Sequence, residues 1–250
     1  DGRPSDIGFT GVNVISAGMT QADGDLSGLT LNGEAVNTAE TGLFGGGTLA
    51  AQFAIRDARA VDDQARLDGI ARDLVDRLGA GGPDASIAAT DAGLFTDAGL
   101  AFDPTDETGL AGRIALNTLV APGSGGVWRL RDGLGAAGPG DSGDARILQG
   151  IGTALTEPAV PASTSLDPAA RSFFGQVTEL TTAIASTRVS QDNENAFLSA
   201  QNAALRELEL SDGVDTDAEL QRLMQIEQHY TANAKVMSVV DDLMKRLMNI

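Results

Sequence analysis

Residues 216–250 read TDAELQRLMQIEQHYTANAKVMSVVDDLMKRLMNI, and their apolar spacing decides the fold class. From Leu223 the pattern steps by three and four without a slip, through Leu223, Ile226, Tyr230, Asn233, Met237, Val240, Met244 and Leu247. Positions alternating in this way form a heptad stripe, the signature of a helix packed along its length against another helix. Asn233 is the polar member of the stripe, and a lone Asn there commonly sets register and partner number at some cost in stability. Leu220, Val236, Val239 and Leu243 widen the apolar face, and Ile250 closes it. Thr216 and Glu219 have the spacing of a capping box at the start of the helix.

A helix of this length gains most of its stability by burying its apolar face. Left bare, each apolar stripe position forgoes about 1.5–3 kcal/mol of burial. In sum that outweighs the typical folding margin of about 5–15 kcal/mol. The stripe therefore requires a cover. The preceding segment, 166–210, is the nearest candidate within the chain. It contains one glycine, Gly175, and its only proline is Pro168, which follows Asp167 as at a helix start. Its own seam runs Phe173, Val177, Leu180, Ile184, Thr187, Gln191, Glu194, Leu198, Gln201, Leu205 and Leu208, and is polar in the middle. Such a seam is a poor cover, so the expected partner is a helix outside this chain or another copy of it.

Upstream, Thr48 is placed to cap a helix over 48–79, with apolar residues at Leu49, Phe53, Ala60, Leu67, Ile70, Leu74 and Leu78 before Gly81-Gly82-Pro83 stops it. Residues 1–47 are rich in Gly, Thr, Asn and Asp and predict short strands and turns, at Gly11–Ile15 and Leu29–Gly33. Residues 80–165 predict a small mixed α/β insertion, with strands at Arg113–Asn117 and Val127–Leu130 and a short helix over Asp144–Leu155. Trp128 is expected in the core of that insertion. The predicted class is mainly α with a smaller β-containing part: long antiparallel helices forming a bundle, a short-strand insertion and a terminal coiled-coil helix. The predicted division is a strand and turn segment at 1–47, a helical body from 48–79 and 166–210, the insertion at 80–165 and the terminal segment at 211–250.

Composition narrows the function. Acidic residues outnumber basic ones 35 to 17, a formal charge of −18, which repels nucleic-acid phosphates and anionic lipid. Cysteine is absent, which removes disulfides, thiolate nucleophiles and cysteine-held zinc. No apolar run is long enough to span a membrane. The chain opens on Asp1 with no signal-peptide pattern, and is read as a fragment whose N-terminal part is missing.

Motifs that could carry chemistry are better explained structurally. Gly140-Asp141-Ser142-Gly143 echoes a serine-protease nucleophile segment, but the sole histidine, His229, lies in the terminal helix and in the wrong order. Asp215, Asp217 and Glu219 alternate like a calcium loop, yet Leu220 stands where the loop needs glycine. Acids in a first helical turn are accounted for by capping and the helix dipole. The Met224, Met237, Met244 and Met248 stripe reads as packing, not soft-metal binding. No catalytic, cofactor or metal residue is expected, and the chain is not expected to be an enzyme.

The terminal residues resemble the C-termini of flagellar rod, hook and hook-associated proteins. Those share a Gly-Val-Asn turn, acidic residues and a helix with a central Tyr that ends near Leu-Leu-Asn-Ile. Here the segment runs Gly213-Val214-Asp215, passes through Tyr230 and ends Leu247-Met248-Asn249-Ile250; Asp215, Glu227 and His229 depart from the usual Asn, Gln and Ala. A second stretch, Gly46-Gly47-Thr48-Leu49-Ala50-Ala51-Gln52-Phe53-Ala54-Ile55-Arg56-Asp57, resembles the Gly-Gly-x-Leu…Phe-Arg-Asp segment of the hook–filament junction (FlgK) family, with Ile55 in place of Phe. The resemblance implies a secreted structural subunit of the extracellular bacterial flagellum, polymerised at the hook tip. Its terminal helix would pair with a helix from the absent N-terminal part, and its partners would be other copies and neighbouring axial proteins. An export chaperone shielding the stripe before assembly is a further candidate partner. The interface residues implied are Leu220, Leu223, Ile226, Tyr230, Asn233, Met237, Val240, Met244, Leu247 and Ile250. The competing expectations are another axial protein (filament-side junction, hook or rod) or an unrelated coiled-coil fibre or adhesin subunit.

Overall fold

Two of the three N-terminal strands are joined by a two-residue turn. β1 (Ile7–Phe9), β2 (Leu29–Leu31) and β3 (Glu34–Val36) form an antiparallel sheet in that order. Asn32 and Gly33 join the last two strands with φ of 54° and 87°, the left-handed pair that matches strand twist in a tight hairpin. The Asn32 side chain also accepts from the Asp6 backbone N–H at 2.9 Å, which ties β1 to the turn. The expected strand at Gly11–Ile15 does not form; Ile7–Phe9 pairs instead, and Val14 and Ile15 are exposed. The computed structural model describes residues 5–39, 41–212 and 216–248, with side-chain surroundings in the last two helices given up to 209 and over 219–238.

The helix predicted at 48–79 is observed as α1 (Thr48–Ala54), a single π-helical turn over Ile55–Arg59, and α2 (Ala60–Arg77). Thr48 is its first helical residue; Gly47 holds the cap position with no side-chain bond. The buried face is not the one its apolar residues suggest. Leu67 is 45% exposed, whereas Asp68 and Asp73 are 2% and 4% exposed beside Ala71, Val75 and Leu78. Asp68 turns inward because the 109–111 segment brings backbone N–H donors to it, and Asp73 because Arg77, one turn on in the same helix, pairs with it. Gly69 sits between the two, and a Cβ there would lie 2.8 Å from Ser163 Oγ and 2.9 Å from Leu166 Cγ. The helix accepts a residue with poor helix propensity so that the 163–166 strap can approach closely.

β4 (Phe95–Asp97), α3 (Leu110–Arg113) and β5 (Ile114–Leu116) follow, with β4 and β5 antiparallel. The expected strand over Val127–Leu130 is a turn leading into α4 (Arg129–Asp132). There the Arg129 guanidinium lies 4.5 Å from the ring centroid of half-buried Trp128 and donates at 2.6 Å to the carbonyls of both Leu134 and Ala136. The core cluster within 80–165 is Ile87, Val120 and Leu134, flanked by Leu94 and Leu130, so Trp128 lies outside it. α5 (Arg146–Thr156) matches the predicted short helix.

α6 (Phe173–Asp212) begins five residues after Pro168. The Asp167 carboxylate accepts from the Ala169 N–H at 2.8 Å and pairs with Arg171 at 3.2 Å, while Arg171 bridges back to Ala159. Those bonds keep 167–171 out of the helix, and Ser172 starts the helix by accepting from the Gly175 N–H at 3.1 Å. α7 (Thr216–Met248) is the last element. The predicted class, mainly helical with a small antiparallel β part, is the observed one. The chain divides into two compact units, Asp1–Ile184 and Ala185–Ile250.

With few aromatics available, the first unit is fastened by buried carboxylates and arginines. Asp68 accepts from the Gly109 and Ala111 N–H groups at 2.7 and 2.8 Å, holding the first turn of α3 onto α2. Arg77, 7% exposed along its side chain, pairs with Asp73 at 2.8 Å and donates to the carbonyls of Ala154, Glu157 and Arg171. Asp84 accepts from the Leu134 N–H at 2.7 Å. Asp97 and Arg113 form a two-bond fork at 2.7 and 2.9 Å, and Arg113 also reaches the Thr108 and Asp106 carbonyls.

Candidate assembly interface

α7 is a helix of 33 residues, about 50 Å long at the α-helical rise. Every described side chain on it, from Glu219 to Ser238, is exposed. The same holds for residues 185–209 of α6, so over these described residues neither helix shields the apolar positions of the other. Along the stripe, Leu223 is 61% exposed, Ile226 60%, Tyr230 78% and Met237 74%. Leu220, Met224 and Val236, which widen the face, are exposed to a similar degree. Asn233 is exposed among them. Val240, Met244 and Leu247 lie within the helix at positions whose side-chain surroundings are undescribed, and Ile250 lies outside the described residues.

Heptad lettering follows from the spacing. Leu223, Tyr230, Met237 and Met244 take the a positions, and Ile226, Asn233, Val240 and Leu247 the d positions. Burying the four described apolar members from their present exposure is worth about 1–2 kcal/mol each. Helix backbone bonds are satisfied within the segment, so what the surface offers a partner is apolar area and one amide.

Other residues singled out in the sequence occupy ordinary structural places. Asp141–Gly143 form a turn ahead of α5. Asp144 accepts from the Arg146 N–H at 3.1 Å and pairs with its guanidinium at 2.7 Å. Those bonds, the guanidinium first, hold the Asp144 carboxyl down at about 2. His229 is exposed on α7. Of the calcium-like alternation, Asp215 lies outside the described residues, as does the Gly213-Val214 turn, and Glu219 is exposed. The Thr216 side chain of the expected capping box lies outside the described residues. Among the described residues, no group of three His, Cys, Asp or Glu is arranged to hold a metal ion, and no helix is long and apolar enough to cross a membrane.

The Gly46–Asp57 stretch has a definite local role. Phe53 is 8% exposed, and the Arg56 guanidinium lies 4.6 Å from its ring centroid. Arg56 forks onto Asp57 at 2.8 and 2.7 Å and donates to the Ser27 carbonyl at 3.0 Å, while Asp57 accepts from the Gln21 N–H at 3.2 Å. The π-helical turn lies over these residues, so the Arg-Asp pair pins the start of the long helix to the 21–27 loop. Sequence reading missed the buried carboxylates of Asp68, Asp73, Asp84 and Asp97. The available signal was the three-to-four spacing of Arg and Asp along 72–77, which marks ion pairing but not burial.

Residues 210–250 match the family model described as flagellar basal body rod FlgEFG protein C-terminal. The match supports a flagellar axial protein family. It spans α7, whose described apolar stripe positions are exposed. That family points to the flagellum, to self-assembly with other axial proteins and to a structural role over an enzymatic one. No curated protein and no solved structure matches the chain.

Proposed function

We propose that this chain is a structural subunit of the bacterial flagellum that polymerises at the hook–filament junction through its terminal coiled-coil helices. The observation that carries the proposal is the exposed heptad stripe of α7 inside the segment matched to flagellar rod C-termini. The junction assignment rests on the resemblance of Gly46–Asp57 to the junction family. Under this reading, residues 48–79 and 166–210 build the body outside the axial core, 80–165 is its insertion, and 211–250 is the axial segment. Leu220 through Ile250 form the assembly face, and the subunit acts outside the cell after export.

A rod or hook component is the second reading, favoured by the identity of the matched family. Deleting the gene in the source bacterium separates the two. A junction subunit leaves hooks intact and filaments missing, whereas a rod or hook component leaves no hook. A chain lacking 223–250 should keep a folded body and fail to restore filaments. Restoration by that truncated chain would refute assembly through α7.

A further inference from the structure

We infer that Asn32 is a site of spontaneous deamidation whose rate is set by the docking of β1; the inference is independent of the assembly role of α7. Among the chain's asparagines Asn32 alone is followed by glycine, and both residues are exposed at the turn between β2 and β3. Glycine matters because the reaction needs the next residue's backbone nitrogen to reach the side-chain amide carbon, and a side chain there would stand in the way. The Gly33 nitrogen attacks Asn32 Cγ and forms a C–N bond, and the Cγ–Nδ2 bond breaks. The amide proton of Gly33, relayed through water, completes the leaving ammonia. Water then opens the resulting succinimide at either carbonyl. One opening leaves aspartate at position 32; the other leaves isoaspartate, with the main chain rerouted through Cγ.

In the folded chain Asp6 holds this attack off. Its N–H donates to Asn32 Oδ1 at 2.9 Å, and the Asn32 N–H donates to the Asp6 carbonyl at 2.7 Å. The carboxamide is therefore turned across the sheet towards β1, whereas Gly33 leads away into β3. Bringing Cγ onto the Gly33 nitrogen requires the bond from Asp6 to break first. β1 is three residues long and lies at the sheet edge, with Ile7 65% and Phe9 58% exposed, so it belongs to the part of the fold that opens at least cost. Each opening frees the amide for a one-way reaction. The two products differ in consequence. Aspartate at position 32 still offers an acceptor to the Asp6 N–H but adds a negative charge opposite Asp6. Isoaspartate lengthens the main chain of the turn by a methylene, which no longer fits the two-residue link that sets Leu31 opposite Glu34 and Leu29 opposite Val36.

The full chain is incubated at mildly alkaline pH, folded and in urea, and conversion at each Asn is read by peptide mass mapping. Isoaspartate is confirmed by its methylation with protein L-isoaspartyl methyltransferase. In urea Asn32 should convert ahead of every other Asn, and in the folded chain it should convert at least about tenfold more slowly than in urea. Asp6→Pro removes the N–H that holds the amide and should raise the folded-state rate about five- to tenfold. Gly8→Ala opens β1 by a different route, because a Cβ there would collide with Thr30 Oγ1, and should act in the same direction. Melting of the first unit, followed at Trp128, checks that each variant keeps its body folded. Equal rates in the folded chain and in urea, or folded-state rates unchanged by both substitutions, would overturn the control by β1. Absence of conversion at Asn32 in urea would overturn the site itself.

Discussion

Replacing Asp68 by Ala tests whether the first unit depends on its buried carboxylates. Asp68 is 2% exposed and accepts three hydrogen bonds, from the Gly109 and Ala111 N–H groups and from Gln64 Nε2 at 2.9 Å. The substitution removes a cap from α3 and leaves two backbone donors and one amide without their acceptor. Loss of a cap costs about 0.5–2 kcal/mol, and each buried orphan donor about 1–3 kcal/mol. Relaxation and water entry reduce a simple sum, so the expected loss is about 3–5 kcal/mol. For a unit of this size that is a fall in melting temperature of about 6–20 °C. Asp68→Asn keeps one acceptor oxygen and should fall between Ala and wild type. The measurement is chemical denaturation followed by tryptophan fluorescence, since Trp128 lies in the same unit. Asp62→Ala, exposed on the same helix, is the control and should change stability by less than about 0.5 kcal/mol. An Asp68→Ala loss no larger than this control would refute the claim that the carboxylate holds α3 onto α2.

Arg77→Ala leaves buried Asp73 without its ion pair and removes a donor from three carbonyls, and should cost about 3–5 kcal/mol by the same denaturation assay. Arg77→Lys keeps the charge but loses the planar fork, and should lie between. The pH dependence follows from carboxylates whose folded-state pKa lies below the ordinary value: Asp97 through the Arg113 side-chain bond, Asp132 through that of Arg131, and Asp144 at about 2. A depressed carboxylate contributes stability above its unfolded pKa and loses it as pH falls through the folded value. Stability of the first unit should therefore decline as pH drops from about 4 towards 2. Asp97→Asn should flatten that acid limb in a pH series of melting curves. Asp76, raised chiefly by burial, works in the opposite direction, so removing it should steepen the decline.

The elements legible in the sequence are those fixed by their own periodicity. The α7 stripe needs no tertiary information, because three-four alternation over this length has one helical solution. Leu29–Leu31 is likewise set by local chemistry, through the Asn32-Gly33 turn that follows it. What failed depended on distant donors. The inward face of α2 was misread because Asp68 and Asp73 count as polar in any hydropathy pattern, and only the loops at 109–111 and the arginine at 77 make their burial favourable. Val127–Leu130 fits a short strand as well as a helix start, and a four-residue run cannot separate the two. The Arg129 side chain, by closing onto the Leu134 and Ala136 carbonyls, stabilises the turn there. Asp167-Pro168 carries every local sign of a helix start, yet the Ala159–Arg171 bridge competes for the same backbone and wins. The exposed stripe of α7 over Leu220–Met237 was legible in the sequence; the carboxylate fastenings of the first unit were not.

The bareness of residues 185–209 and 219–238 also sets how heat would act on the chain. The heat capacity of unfolding tracks apolar surface released to water, and helices already wet on every side release little of it. The calorimetric size of the single chain is therefore that of Asp1–Ile184, about 2.5 kcal/mol/K, although its helical signal includes two further long helices. The helices beyond Ile184 add helical signal without adding buried apolar surface over their described residues. Closing a partner onto α7 would add heat capacity without adding a turn of helix, so assembly would register in the thermogram before it registered in the spectrum.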